Sequence, residues 1–302
     1  PWNTKKSLNQ KKATVLLITS RLAVRNCPAM KLSEWRFASK LPKHETDMII
    51  EHVCGLNKLH IVLEASNYEL SDSQTEELNR IYFERYEHKY PLQYIFGYAF
   101  FDDLKFKVTP DVLIPRQDTE LIVQKATECI APLAHREVNV LDLCTGSGCI
   151  AISLANRFKE FPSVKFFASD ISEKALDVAK ENANNLNTDI DFICSDLFDK
   201  INRSFDVIIS NPPYISLSEE CFMSEDTLNF EPKIALYGSN DGFEFYIKIA
   251  DNYKHFLSAG GHLLLEVGFK QAETVASLFN KSLKTEIIKD ISGHCRVVHV
   301  FN

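Results

Sequence analysis

Val138-Asn-Val-Leu-Asp142-Leu-Cys-Thr-Gly146-Ser-Gly148 is the stretch that decides the fold. It reads as a strand that ends in a turn of small residues and runs straight into an apolar-periodic helix from Ile150 to about Phe158. Gly146 and Gly148 leave room for a ligand to approach the backbone, and the start of the helix offers free N–H groups. As a dinucleotide fingerprint the stretch is defective. The third glycine, expected where Cys149 to Ala151 stand, is missing, which weakens a pyrophosphate reading.

Working outward, Val164 to Asp170 reads as a second strand ending in an acid, a position where a ribose diol is commonly gripped. A third, Ile190 to Asp196, ends in another acid beside the apolar Leu197, suited to the edge and face of an adenine. Each acid alone is better read as a solvated strand-end carboxylate; three in register along alternating strands and helices weigh against that. Phe205-Asp-Val-Ile-Ile-Ser210 is a further strand, and it opens into Asn211-Pro212-Pro213-Tyr214. This puts a carboxamide where open α/β sheets bind ligands. A carboxamide oxygen and a proline-oriented carbonyl are two acceptors that suit a planar NH2 group, and a tyrosine ring can cover its flat face. A plain proline-stiffened loop is the competing reading of these four residues.

Taken in order, Asp-Leu-Cys-Thr-Gly-Ser-Gly, Ala-Ser-Asp170, Ser-Asp196-Leu-Phe and Asn-Pro-Pro-Tyr resemble the class I S-adenosylmethionine-dependent methyltransferases. More narrowly they resemble the HemK/PrmC family, whose members methylate the N5 of a glutamine in peptide chain release factors. Pro91-Leu-Gln-Tyr-Ile-Phe-Gly97 followed by Phe100-Phe101, Val112-Leu-Ile-Pro-Arg116-Gln-Asp-Thr-Glu120, Phe230-Glu231-Pro232, Asp241-Gly242 and Gly260-Gly261-His-Leu-Leu-Leu-Glu266 continue the likeness, which runs from about Lys31 to the C-terminus. The resemblance implies a Rossmann-like α/β domain with a seven-stranded, mostly parallel sheet, preceded by a small helical domain and a β-hairpin linker. It implies that S-adenosyl-L-methionine is held by Cys144, Thr145, Gly146, Ser147, Gly148, Asp170, Leu197 and Asn211. Asn211, Pro212, Pro213 and Tyr214 would hold the substrate amide, with the Asn211 side chain and the Pro212 carbonyl accepting its hydrogens. Many members carry Gly where Cys144 stands and Pro where Gln117 stands. The implied partner is a class 1 release factor, methylated at the glutamine of its Gly-Gly-Gln motif, with no metal taking part. Cytoplasmic location, a monomer, no direct nucleic-acid contact and no membrane contact complete the expectation.

Domain boundaries follow from the same reading: a leader at 1–29, a helical substrate-recognition domain at 30–90, the linker at 91–118 and the catalytic domain at 119–302. In the helical part, Thr46 or Asp47 is placed as the cap of a helix from Met48 that stops at Gly55, and Ser71 to Ser73 precede a helix from Thr75 to Tyr90. Pro91 is read as ending the helices, Tyr94 to Val108 as a hairpin, and Ile215 to Asn240 as a polar loop. A helix is placed near Phe243 to Leu257, a strand at His262 to Val267 and a helix from Gln271 to Asn280. Two closing strands are placed at Thr285 to Ile288 and Arg296 to Phe301. Arg116 and Arg296 are read as loop-fixing through carboxylates, Glu231 as equally a structural or a substrate-side residue, and His294 as a turn residue.

Composition bounds the rest. The chain has 302 residues, 45% of them hydrophobic, enough for a sizeable core and about two domains. No run approaches the roughly 18 apolar residues of a membrane span. The eight cysteines contain no Cys-x-x-Cys pair and read as reduced core thiols rather than disulfides or zinc ligands. Residues 1–43 hold ten Lys or Arg against one acid, Glu34, so this segment carries +9 while the whole chain is at −7. A basic leader could be a transit peptide or a nucleic-acid tail. The preferred reading makes 1–29 upstream sequence, because Met30 opens a segment that resembles the usual start of the family's helical domain. An enzyme for exocyclic amines of DNA or RNA bases, which present a similar NH2, is the alternative function. It would need a broad basic surface, and the body here is acidic. A scaffold that binds the cofactor and has lost catalysis is a further alternative, opposed by the intact Asp170 and Asn211.

Overall fold

The computed structural model describes residues 29–279 and 282–301, so the leader reading lies almost wholly outside the described residues. The chain divides into two compact units between Ile95 and Phe96.

The first unit is helical. Its helices run Leu32–Ala38, Lys43–Cys54, Lys58–Glu64 and Asp72–His88, and a short helix, Leu92–Phe96, begins after Pro91 rather than the helices ending there. A proline is tolerated just before a first turn, where its missing N–H has no helical partner to lose. Ser71 closes a reciprocal capping box with Gln74, which starts the long helix nearly a turn before Thr75. Thr46 and Asp47 do not cap. They lie inside the helix that begins at Lys43 and face the segment before it: the Thr46 hydroxyl is 2.8 Å from that of Ser39, and Asp47 accepts two bonds from Arg36 at 2.8 and 3.0 Å. Gly55 ends that helix with φ 70°, the left-handed cap that glycine adopts without penalty. Leu78, Ile81 and Tyr82 are buried, and Tyr86 stacks on Tyr82 at 5.3 Å.

The second unit opens with an antiparallel hairpin, β1 (Tyr98–Phe101) and β2 (Leu104–Lys107). Its main sheet has seven strands: β3 (Val138–Leu143), β4 (Val164–Asp170), β5 (Ile190–Cys194), β6 (Phe205–Ser210), β7 (Leu257–Glu266), β8 (Lys284–Lys289) and β9 (Cys295–Phe301). The order is β5-β4-β3-β6-β7-β9-β8, with the first five parallel and β9 antiparallel to both neighbours. This is the doubly wound class I methyltransferase arrangement, closed by the terminal antiparallel hairpin. Both faces are covered, so central strands are apolar throughout rather than alternating. Val140, Val207, Ile209 and Leu264 enter one core, while Leu141, Leu143, Ile208, Leu263 and Leu265 enter the other. Strand order reverses between β3 and β6, so their C-terminal ends flank the crevice in which such sheets bind ligands.

Several boundaries differ from the sequence reading. β7 starts at Leu257, before Gly260 and Gly261, because a register shift opposite Phe205 and Val207 absorbs the glycines within the strand. The preceding helix accordingly stops at Asn252, and the one after β7 covers only Ala272–Ser277. The stretch read as a polar loop from Ile215 carries a 3-10 turn at Leu217–Phe222 and short helices at Glu225–Phe230 and Lys233–Leu236. Their amphipathic runs are too short for periodicity to register. Cys221 is exposed, unlike the core thiols expected.

Candidate functional site

The turn after β3 is built around Asp142. This carboxylate is buried; its Oδ2 accepts the Thr145 hydroxyl at 2.6 Å and the Ala151 N–H at 3.2 Å, while Oδ1 has no partner. Burial lifts its pKa to about 7. Two glycines in the turn act differently. Gly146 (φ 55°) faces open space, whereas at Gly148 (φ 80°) a Cβ would come 2.8 Å from Ile152 and 3.1 Å from Ala179. Cys144 takes φ 60°, a left-handed conformation that glycine would adopt without penalty.

Asp170 ends β4 and is tied to the same turn. One oxygen accepts the Gly146 N–H and the other the Ser172 N–H, both at 2.9 Å, and burial raises its pKa. Each carboxylate oxygen retains a further lone pair for a diol. Leu197, with φ 44°, lies in the loop after β5 and is buried. A buried residue with no signature in the sequence pattern, Asn182, fastens this region to the hairpin. Its amide donates to the Lys107 carbonyl at 3.0 Å and the Ser147 carbonyl at 2.9 Å, and its oxygen accepts the Lys107 N–H at 2.7 Å.

Cys144, Thr145, Gly146, Ser147, Asp170 and Leu197 line one cavity of about 270 Å³, together with Asp196 and, from the turn after β6, Asn211 and Pro213, whereas Gly148 packs against Ile152 and Ala179. A second cavity of about 220 Å³ is lined by Pro212, Tyr214, Thr227 and Glu266. Asn211 and Arg116 line both. The turn is thus wedged between a large chamber, with Asp170 and Leu197, and a smaller one, with Tyr214.

What orients Asn211 is a residue of the linker stretch Val112 to Glu120 to which the sequence reading gave no role of its own. Its Nδ2 donates to the Thr119 hydroxyl at 3.3 Å, which turns the carboxamide oxygen the other way. The Thr119 hydroxyl in turn lowers the pKa of the adjacent Glu266, a buried carboxylate at the end of β7 that burial nonetheless raises to about 7. Tyr214 donates to Glu266 Oε1 at 3.5 Å, and Glu266 Oε2 is unpartnered. Burial also pushes the Tyr214 phenol up, so it stays a donor. The backbone of the turn is fixed from the loop side. Gln271 donates to the Tyr214 carbonyl at 2.9 Å, and a Cβ on Gly242 would stand 2.1 Å from that carbonyl oxygen.

Glu231 is committed to structure. Its carboxylate accepts the Ile114 N–H and the Thr227 hydroxyl, both at 3.1 Å, and pairs with Arg116, clamping the helical loop to the segment before Thr119. Arg296 pairs with Asp118 at 2.7 Å and Asp290 at 2.9 Å. His294 sits beside Gly293 in the turn between β8 and β9, its N–H bonded to Asp290. These contacts place Arg116 and Arg296 as loop-fixing residues.

Comparison with known proteins follows the same division. The family model described as the methyltransferase small domain matches residues 119–226, and the PrmC N-terminal domain matches residues 36–97. The release factor glutamine methyltransferase of Lactococcus lactis is 39% identical over 259 residues, covering 85% of this chain and 93% of that protein. That of Thermodesulfovibrio yellowstonii is 37% identical, with 84% and 90% covered. The bifunctional methyltransferase of Rickettsia typhi is 38% identical over 283 residues; there 86% of this chain matches 53% of the relative, so the chain spans about half its length. The chain belongs to the release factor glutamine methyltransferase family.

Proposed function

We propose that this member of the release factor glutamine methyltransferase family transfers a methyl group from S-adenosyl-L-methionine to the side-chain nitrogen of the glutamine in the Gly-Gly-Gln motif of class 1 release factors. The observation that carries the reading is the position of Asn211, between a chamber with an acid for a ribose diol and a chamber faced by Tyr214.

The larger chamber fits the cofactor. Asp170 would bind the ribose hydroxyls, Leu197 would lie against the adenine, and the turn Cys144 to Gly148 would take the methionine side, where Gly146 leaves open space. When bound, S-adenosyl-L-methionine supplies an electrophilic methyl on a sulfonium. The chain's own part is positioning and electrostatic fit. An amide nitrogen is a poor nucleophile because its lone pair is delocalised. With one N–H held by the Asn211 oxygen and the other by the Pro212 carbonyl, the nitrogen is presented with its lone pair toward the methyl. Tyr214 covers the flat face of the amide, and the prolyl-stiffened turn, its two prolines buried, holds this geometry. The nitrogen loses a proton to water after attack, which leaves neutral N-methylamide and S-adenosylhomocysteine. No strong base is required.

The helical unit at 30–90 would help recognise the release factor, with 91–118 as linker and 119–302 as the catalytic part. Among the described residues no helix is long and apolar enough to cross a membrane. A cytoplasmic monomer acting on a protein partner, without contact to nucleic acid or membrane, is the assembly proposed.

The test uses methyl-labelled S-adenosyl-L-methionine with a release factor, and with the same factor carrying another residue at the Gly-Gly-Gln glutamine. Label on the first alone, lost with Asn211→Ala while cofactor binding persists, supports the assignment. Label on both factors refutes the target, and near-normal turnover by Asn211→Ala refutes its role.

A further inference from the structure

Three metal-ligating side chains converge away from the Asn211 turn. Cys129 is near the C-terminal end of the helix Glu120–Ile130, His262 is on β7 and His299 on β9; their ligand atoms all lie within 4.8 Å of one another. His299 Nε2 is 3.7 Å from Cys129 Sγ and 3.0 Å from His262 Nδ1. Around a tetrahedral ion with sulfur at about 2.3 Å and nitrogen at about 2.0 Å, two nitrogens stand about 3.3 Å apart and sulfur and nitrogen about 3.5 Å, each within about 0.3 Å of these separations. Register makes the convergence possible. His299 lies opposite Leu264, two residues along β7 from His262, so both imidazoles project from one face of the sheet.

The neighbours of the cluster suit a cation. Glu286, the cross-strand partner of His299 on β8, places its carboxylate 3.5 Å from Nδ1. A carboxylate can only accept, so a hydrogen bond between them puts the proton on Nδ1 and leaves the Nε2 lone pair toward the cysteine and the second histidine. Carboxylates set the tautomer of metal-bound histidines in this way. Lys125, one turn before Cys129, is neutralised by Glu128 and Glu286, each at 3.3 Å, which leaves an excess of one negative charge around the cluster. A proton shared between the two rings would satisfy that pair alone, with the thiol left a weak contact; one ion would satisfy all three lone pairs.

We propose that Cys129, His262 and His299 bind a single zinc-class divalent ion, with the fourth position open on the half-buried His262 side. Loading forms one metal–sulfur and two metal–nitrogen bonds and releases the thiol proton to solvent. His262 lies four residues before Glu266, about 13 Å along the strand, so the ion would act as a cross-link and not at the amide. It would fasten the helix that follows Thr119 to the terminal hairpin.

The test is a titration of the EDTA-stripped, fully reduced protein with Co²⁺ alone, read by absorption spectroscopy, with Zn²⁺ added at the end. The expected result is one Co²⁺ per chain, with the intense visible bands of a tetrahedral ion and a near-ultraviolet thiolate band, both abolished by stoichiometric Zn²⁺. Cys129→Ser should remove the thiolate band. His262→Gln, at a half-buried position, should keep the native circular dichroism and weaken binding at least tenfold. Cys221→Ser, at an exposed thiol, should change nothing. Absence of a tetrahedral spectrum, or a spectrum that survives His262→Gln and disappears with Cys221→Ser, would overturn the proposal.

Discussion

Replacing Glu266 by Gln should make the protein's stability diverge from the parent as pH rises, and the size of the divergence follows from burial. Glu266 is 3% exposed, and burial lifts its pKa from 4.5 to about 7. Folding therefore favours the protonated carboxyl. Its stabilising contribution is complete below pH 4.5 and is lost as pH rises through 7. At about 1.4 kcal/mol per unit the full shift corresponds to roughly 3 kcal/mol, of which roughly 2 to 3 would fall between pH 5 and 8.5. Glutamine keeps an oxygen for Tyr214 and Thr119 but cannot ionise, so the variant escapes this loss. Asp142 is raised to about 7 as well, yet it is present in both proteins and cancels in the difference. Urea unfolding followed by circular dichroism at the two pH values measures the gap. The variant is expected to gain roughly 2 to 3 kcal/mol on the parent at the higher pH. An equal gap at both pH values would show that Glu266 titrates as an ordinary surface acid and that its enclosure here is wrong.

Three further outcomes are expected. Thr119→Val removes the acceptor that orients Asn211, worth about 1 kcal/mol, so turnover should fall about fivefold with S-adenosylhomocysteine affinity within twofold; unchanged turnover in a methyl-transfer assay would separate Thr119 from the site. Gly242→Ala drives a methyl into the Tyr214 carbonyl at φ 84° and should cost more than tenfold in turnover, while Gly260→Ala, at φ 74° with nothing within 4 Å, should leave turnover alone and cost about 1 kcal/mol of stability. Asp170→Asn cannot accept at both oxygens, so it should loosen the turn at Gly146 and weaken S-adenosylhomocysteine at least tenfold by calorimetry; retained affinity would remove Asp170 from the binding role.

The central strands were readable because a sheet covered on both faces demands long apolar runs, and β4 and β6 have the bounds those runs mark. The glycines within β7 were not readable as strand residues, because a bulge is a property of two paired strands and the partner is about fifty residues away in sequence. Thr46 and Asp47 carried a capping signal that tertiary contacts to Ser39 and Arg36 outbid. The same limit governs the candidate site. Asn211, Asp170 and the glycine turn are local motifs and could be named from spacing. Thr119, Asn182 and Glu266 act through partners on other elements, and the Cys129, His262 and His299 cluster arises only from the antiparallel register of β7 and β9.

That division explains how the site is held. The groups proposed to touch the ligands sit on turns, where φ is left-handed at Cys144, Gly146, Gly148 and Leu197 and where backbone can approach a cofactor. Such turns do not hold their own geometry. They are fixed by buried polar side chains from rigid elements: Asp142 from β3 grips the first turn, Asn182 from the helix Glu173–Asn185 ties it to the hairpin, and Glu266 from β7 stands beneath Thr119 and Tyr214. Asp142 and Glu266 each leave one oxygen unpartnered and are raised to about 7, so each costs the fold something as pH rises. Their burial is destabilising when they are charged, and they stand at the C-terminal ends of β3 and β7, the side of the sheet where the methyl donor and the amide are proposed to meet. A catalyst that works by positioning has to place its rigidity there, in the supports of the turn, more than in the residues of the turn itself.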